Sequence, residues 1–188
     1  MMQNKPVVKT KKYIKRPLMY MMCGTPKAGK STWVNNNVAD TCIIISYDKY
    51  KETIEDWQWS MMDIGSTHTK ATEYLNFMFW EITNQKKDIV LDFNNTRKIQ
   101  RQKFIKTAKK KGYKVKGIEI LTPLDVCIER AQKKSKSVID GTSKWNEDSE
   151  KHKGLIKFYA DKESLHMNEG FNEIKRIDGT TGKDIKEN

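Results

Sequence analysis

Gly24-Thr25-Pro26-Lys27-Ala28-Gly29-Lys30-Ser31-Thr32 fits the pattern G-x-x-x-x-G-K-[ST] without a mismatch. The apolar run Leu18-Met19-Tyr20-Met21-Met22 before it reads as a strand, and residues 32–38 after it read as a helix, so the strand, loop and helix context that the pattern requires is present. Gly24 and Gly29 let the backbone bend until successive N–H groups converge on phosphate oxygens, at a helix N-terminus whose dipole already favours anions. Lys30 is expected to reach the β- and γ-phosphates of a nucleotide, and the Ser31 hydroxyl to ligate Mg²⁺. A glycine-containing surface turn is the competing reading, and the flanking strand and helix weigh against it.

The chain has 188 residues, which suits one domain with a real core, and no internal repeat is visible. We expect a basic, flexible arm at 1–16, a single domain at 17–182 with a lid at about 131–146, and a frayed tail at 183–188. No apolar run is as long as a membrane span and the lysine-rich N-terminus has no apolar signal core, so no membrane partner and a cytoplasmic location are expected. Cys23, Cys42 and Cys127 are odd in number and sit in apolar stretches, reading as reduced, buried fillers rather than disulfides or metal ligands. The formal charge of +12 suggests a polyanionic partner, or simply a lysine-rich soluble surface.

Residues 41–46, apolar and β-branched, read as a strand buried on both faces of a parallel sheet. Ligands of open α/β sheets bind beyond the carboxyl ends of the strands, so Asp48 falls beside the nucleotide phosphates. There it is either a base for an attacking hydroxyl or the N-cap of a helix over 49–57. Trp57, Trp59, Met61 and Met62 precede a helix expected over 69–83, whose Tyr74, Phe77, Met78 and Ile82 either pack in the core or stack bases. Residues 88–92 form the next buried strand. It ends on Asp92, which either holds Mg²⁺ through water or orients the acceptor, while Asn95 and Thr96 read as a turn and cap.

From Arg97 to Lys116 the chain is dense in Lys and Arg with no acid. Ile99, Phe104, Ile105 and Ala108 give this helix a narrow buried side, and its cationic face either meets phosphates or faces solvent away from the cleft. Residues 113–121 read as a fourth strand. A helix over 123–132 follows, with Thr122 as its cap, and Lys133-Lys134-Ser135-Lys136-Ser137 continues it into the cationic lid. A helix over 147–167, with Leu155, Ile156, Tyr159 and Leu165 on one side, and a last strand over 171–177 complete the domain. The turn Asp178-Gly179-Thr180-Thr181-Gly182 is expected near the adenine.

With these residues laid out, 18–138 resembles the kinase domain of phage polynucleotide 5′-hydroxyl kinases, in the adenylate-kinase-like branch of phosphate-loop proteins. The likeness rests on Gly29-Lys30-Ser31-Thr32-Trp33, Asp48 with Tyr50, the Asp92 strand leading into a basic helix, and Arg130 before a lysine-rich segment. It implies an α/β P-loop kinase fold, with a central parallel sheet of about five strands flanked by helices and a basic lid. It also implies ATP and Mg²⁺ on residues 24–32, Asp48 as base for the acceptor 5′-hydroxyl, Asp92 as acceptor-site support, and lid cations on the ATP phosphates.

The chain departs from the family where Lys51 replaces an arginine on the acceptor phosphate and Lys134 replaces the lid arginine, leaving Arg130 as the nearby guanidinium. Lysine binds phosphate without the bidentate fork, which leaves substrate identity open. Neither Ile139-Asp140-Gly141-Thr142 nor Ile177-Asp178-Gly179-Thr180 supplies paired aspartates, so the family's phosphatase domain is not expected. The expected function is transfer of the ATP γ-phosphate to a hydroxyl of nucleic acid, a 5′-hydroxyl of DNA or RNA first. A hydroxymethylated base, a small molecule such as a nucleoside or antibiotic, and a non-enzymatic, nucleotide-gated nucleic-acid binder are the rivals.

Overall fold

The computed structural model describes residues 16–38, 40–52, 64–139 and 149–186, without the side chains of 48, 51–52, 64–70, 134–139, 149–153 and 155. The basic arm up to residue 15, the segment holding Trp57, Trp59, Met61 and Met62, and lid residues 140–146 therefore lie outside the described residues, as do the side chains of Asp48, Lys51 and Lys134.

Five strands, β1 (Leu18–Cys23), β2 (Ile43–Ser46), β3 (Ile89–Asp92), β4 (Lys114–Leu121) and β5 (Glu173–Asp178), form one sheet in the order β2-β3-β1-β4-β5. Every neighbouring pair is parallel. Among the described residues six α-helices accompany them: α1 (Lys30–Asn37), α2 (Tyr47–Glu52), α3 (Ile64–Asn84), α4 (Lys98–Lys110), α5 (Leu124–Ile139) and α6 (Ser149–Ala160). The α/β architecture with a five-stranded parallel sheet flanked by helices is thus the observed one.

The period-two alternation of strand side chains divides the core into two layers. Met19, Met21, Cys23, Ile45, Ile89, Leu91 and Val115 pack with Leu75, Phe79, Phe104 and Ile105 of α3 and α4. On the other face Met22, Val90, Ile118 and Ile120 pack with Val34, Cys127, Ala131 and Ile156 of α1, α5 and α6. From β1 the chain runs to β2 at one edge and returns through β3, and the β3–β4 connection then crosses past β1 to the other half of the sheet, which puts the loop after β1 at a switch point of strand order, where such sheets bind ligands.

Several expectations are corrected by tertiary partners. The helix after β2 starts at Tyr47, and the Ser46 hydroxyl accepts from Lys49 N at 3.4 Å; Ser46 caps it, not Asp48. Among the described side chains of α3 the buried apolar ones are Ala71, Leu75, Phe79 and Ile82, whereas Phe77 is exposed. On α4, Ile99 is 76% exposed and Arg101 is fully buried. The cationic run is split by that burial, and its exposed Lys98, Lys103, Lys106 and Lys110 line the outside of the helix. Lys133 and Lys134 continue α5, which is helical through Ile139. The helix expected over 147–167 stops at Ala160. Residues 161–172 then cross to the opposite face of the sheet, where Leu165 and Phe171 join the α3–α4 layer. In the described part of the tail, Ile185 N donates to Arg176 O at 2.8 Å and Asp178 N to Lys183 O at 2.9 Å. Among the described residues no helix is long and apolar enough to cross a membrane.

Candidate functional site: a phosphate loop and its clamps

The loop between β1 and α1 takes its shape from two left-handed residues, Lys27 with φ 65° and Gly29 with φ 108°. Gly29 is the N-cap of α1. Gly24 is required on spatial grounds, since a Cβ there would lie 3.0 Å from the Ile120 carbonyl oxygen. Inside the loop Ala28 N donates to Thr25 O at 3.1 Å. The Lys30 ammonium, 9% exposed, donates to Gly24 O at 3.0 Å, Thr25 O at 2.9 Å and Asn94 Oδ1 at 2.8 Å. A positive charge is thereby fixed under the loop, where an anion would sit.

Asp92 shares the parity of Val90, so its side chain emerges on the α1 side of the sheet, and its Oδ2 accepts from Ser31 Oγ at 2.7 Å. Two oxygen groups of the kind that suit Mg²⁺ are brought together at the mouth of the loop, and they fit the metal. This places Asp92 beside Ser31, next to the loop. Register puts Ser46 opposite Asp92. The backbone of Asp48, in the first turn of α2, therefore stands at the same carboxyl edge as the Ser31–Asp92 pair.

Arg130, on α5, is drawn onto the loop rather than out into a lid. Its Nη1 donates to Lys27 O at 3.1 Å and Ala28 O at 3.2 Å, and its Nη2 to Gly179 O at 2.8 Å. Thr122 does not serve mainly as a helix cap; its hydroxyl donates to Ala28 O at 2.7 Å. Asp178 accepts from the hydroxyls of Thr180 at 2.5 Å and Thr181 at 2.9 Å and from Thr180 N at 2.8 Å. These bonds, the Thr180 hydroxyl first, lower its carboxyl to about 2 and fold the turn that presses Gly179 against the loop. A Cβ on Gly179 would lie 1.8 Å from Thr122 Oγ1 and 2.4 Å from Ala28 O. Gly179→Ala is accordingly expected to lose about 1–3 kcal/mol of stability by overpacking and to weaken nucleotide binding. Thermal melting with and without Mg·ATP checks this, and an unchanged melt in both conditions contradicts it.

Cys23, at the end of β1, is buried and its Sγ donates to Asn95 O at 3.4 Å. Burial pushes the thiol up to about 11, so it is a packing group and not a nucleophile at neutral pH. The sequence reading missed the roles of Asn94, Thr122 and Gly179. Thr122 and Gly179 read locally as a cap and a turn, Asn94 carried no signal of its own, and only the fold brings all three to the loop.

This fold and site define a phosphate-loop, kinase-like α/β domain of the nucleotide-binding class. A family model for the AAA domain matches residues 19–150, and the chain belongs to that family. No curated protein is a significant match to it. Among solved structures, one from the PezAT chromosomal toxin-antitoxin system of Streptococcus pneumoniae is similar with a TM-score of 0.68 at 14% identity, over 95% of this chain and 75% of that one. A candidate kinase from Chloroflexus aurantiacus is similar with a TM-score of 0.64 at 16% identity, over 91% and 90%. A chain of the Pnkp1/Rnl/Hen1 RNA repair complex is similar with a TM-score of 0.56 at 15% identity, over 81% of this chain and 48% of that one. At these identities the likeness is one of fold.

Proposed function

We propose that the protein is an ATP- and Mg²⁺-dependent kinase that transfers the γ-phosphate to a hydroxyl of nucleic acid, a polynucleotide 5′-hydroxyl in the first instance. The observation that carries the proposal is the 2.7 Å Ser31–Asp92 contact beside the buried Lys30 ammonium, at the sheet edge where β2 delivers Asp48. In this reading residues 24–32 bind the triphosphate through their backbone, and Lys30 exchanges its carbonyl partners for phosphate oxygens, to which an ammonium bonds more strongly. Ser31 and Asp92 would hold Mg²⁺, directly or through water. Bound there, the metal supplies positive charge to the phosphate oxygens. Asp48 takes the proton of the acceptor hydroxyl. Arg130 keeps the loop in shape, and Lys134, from the far end of α5, adds positive charge toward the phosphates. Lys51, one turn beyond Asp48 on α2, grips the acceptor phosphate.

Nucleic acid is favoured over a small acceptor by the net charge of +12, since dispersed cations serve an extended polyanion better than a compact molecule. A structural neighbour drawn from an RNA repair complex is in keeping with this. The experiment is an acceptor panel with γ-labelled ATP: a 5′-hydroxyl oligonucleotide, a 5′-phosphorylated duplex carrying hydroxymethylated bases, and free nucleosides. Label is expected on the first. The affinity for that acceptor is expected to fall with salt, with a log–log slope of about −0.7 for each phosphate contacted. Label on nucleosides alone, or a flat salt response, would overturn the nucleic-acid assignment.

A further inference from the structure

We infer that Arg101, buried in α4, is a positioning residue for the phosphate loop, acting through the dipeptide Asn94-Asn95. This dipeptide touches both sides of the loop. Asn94 O accepts from Gly24 N at 3.0 Å and Asn94 Oδ1 from the Lys30 ammonium at 2.8 Å. Asn95 Nδ2 donates to Met22 O at 2.8 Å, and Asn95 O accepts from Cys23 Sγ at 3.4 Å. The geometry depends on Asn95 holding a left-handed backbone at φ 47°, a conformation that asparagine tolerates better than other side-chain-bearing residues and that packing and hydrogen bonds must still hold in place.

Arg101 is the group that enforces it. Its Nη1 donates to Asn95 O at 3.0 Å and to Glu163 O at 3.0 Å. Its Nη2 donates to Ser164 O at 3.3 Å and Glu169 Oε1 at 2.8 Å, and its Nε to Glu169 Oε2 at 2.7 Å. Each of the five guanidinium donors has an acceptor, and the Arg101 and Glu169 side chains are both 0% exposed. A buried ion pair is weak evidence of stabilisation, because an apolar pair of similar volume often serves as well. What an apolar pair cannot do is hold the Asn95 carbonyl in place. The segment 161–169, which supplies Glu163, Ser164 and Glu169, is thereby tied to the conformation of the loop on the other side of β3.

The inference needs only that the loop bind a nucleotide, and not that Asp48 transfer its phosphate. The test is Mg·ATP binding by calorimetry, with melting followed in parallel, on the full chain carrying Arg101→Met with Glu169→Met, which leaves no lone buried charge. Expected is a folded protein that binds Mg·ATP about tenfold to a hundredfold more weakly. Asn94→Ala should cost affinity in the unaltered background and little further in the double variant, because both changes act on one turn. A purely structural role for Arg101 would lower the melting temperature, leave the affinity of the folded protein within about twofold and give additive effects; that result overturns the inference. Should the double variant not fold, Glu169→Gln, which keeps shape and one acceptor, is measured instead. Weakened binding with an intact fold supports the inference, and unchanged binding overturns it. Absence of Mg·ATP binding by the unaltered chain would remove the nucleotide reading itself, and this inference with it.

Discussion

Asp48→Asn is expected to abolish phosphoryl transfer while Mg·ATP binding persists. The substitution keeps the size of the side chain and removes only its ability to accept a proton, the step a positioned carboxylate contributes to attack by an alcohol. General-base catalysis of this kind contributes about 10²–10⁴ in rate, so kcat should fall by that factor while the affinity for Mg·ATP stays near that of the unaltered chain. Ser46 occupies the cap of α2, so the substitution leaves the capping hydroxyl in place. Single-turnover transfer from γ-labelled ATP, alongside calorimetric titration of Mg·ATP, makes the comparison. A variant that retains activity would remove Asp48 from the mechanism.

Lys30→Ala is expected to damage both binding and transfer, which separates it from Asp48→Asn. In the proposed reaction the ammonium meets the phosphates, and in the structure it fastens Gly24 O, Thr25 O and Asn94 Oδ1 to one another. Removing one preorganised cationic donor from a phosphoryl-transfer site costs about 10²–10³ in rate, and loosening of the loop adds a loss of affinity. Weaker Mg·ATP binding together with slower transfer is the expected pattern. Unchanged affinity would mean that the lysine is held on its own loop carbonyls and never engages the nucleotide.

The parts of the molecule legible in the sequence are those whose signal is local. The phosphate loop, the buried strands ending in Ser46 and Asp92, and the parallel α/β class follow from a contiguous motif and runs of apolar residues. What was not legible depended on partners far along the chain. Hydrophobic periodicity assigns Arg101 to the surface of α4 and Ile99 to its core. The reverse holds because Glu169, 68 residues away, makes burial of a guanidinium tolerable. The helix expected over 147–167 ends early because Lys162 and Glu163 find better partners than solvent: Lys162 Nζ donates to the buried Glu119 at 2.5 Å and Glu163 N to Thr96 O at 2.9 Å. In the site, Lys30 and Ser31 were readable from spacing alone. Asp92 read as a holder of the same Mg²⁺ in one of its two options; its direct hydrogen bond with Ser31 depends on the strand order that seats β3 beside β1.

Transfer of a phosphoryl group from this loop to a nucleic-acid hydroxyl is measured by incubating the protein with γ-labelled ATP, Mg²⁺ and a 5′-hydroxyl oligonucleotide, then digesting the product to single nucleotides to locate the label. Label confined to the 5′-terminal nucleotide, and lost with Asp48→Asn, is the expected result. An oligonucleotide that stays unlabelled while the protein binds Mg·ATP would contradict the proposed transfer.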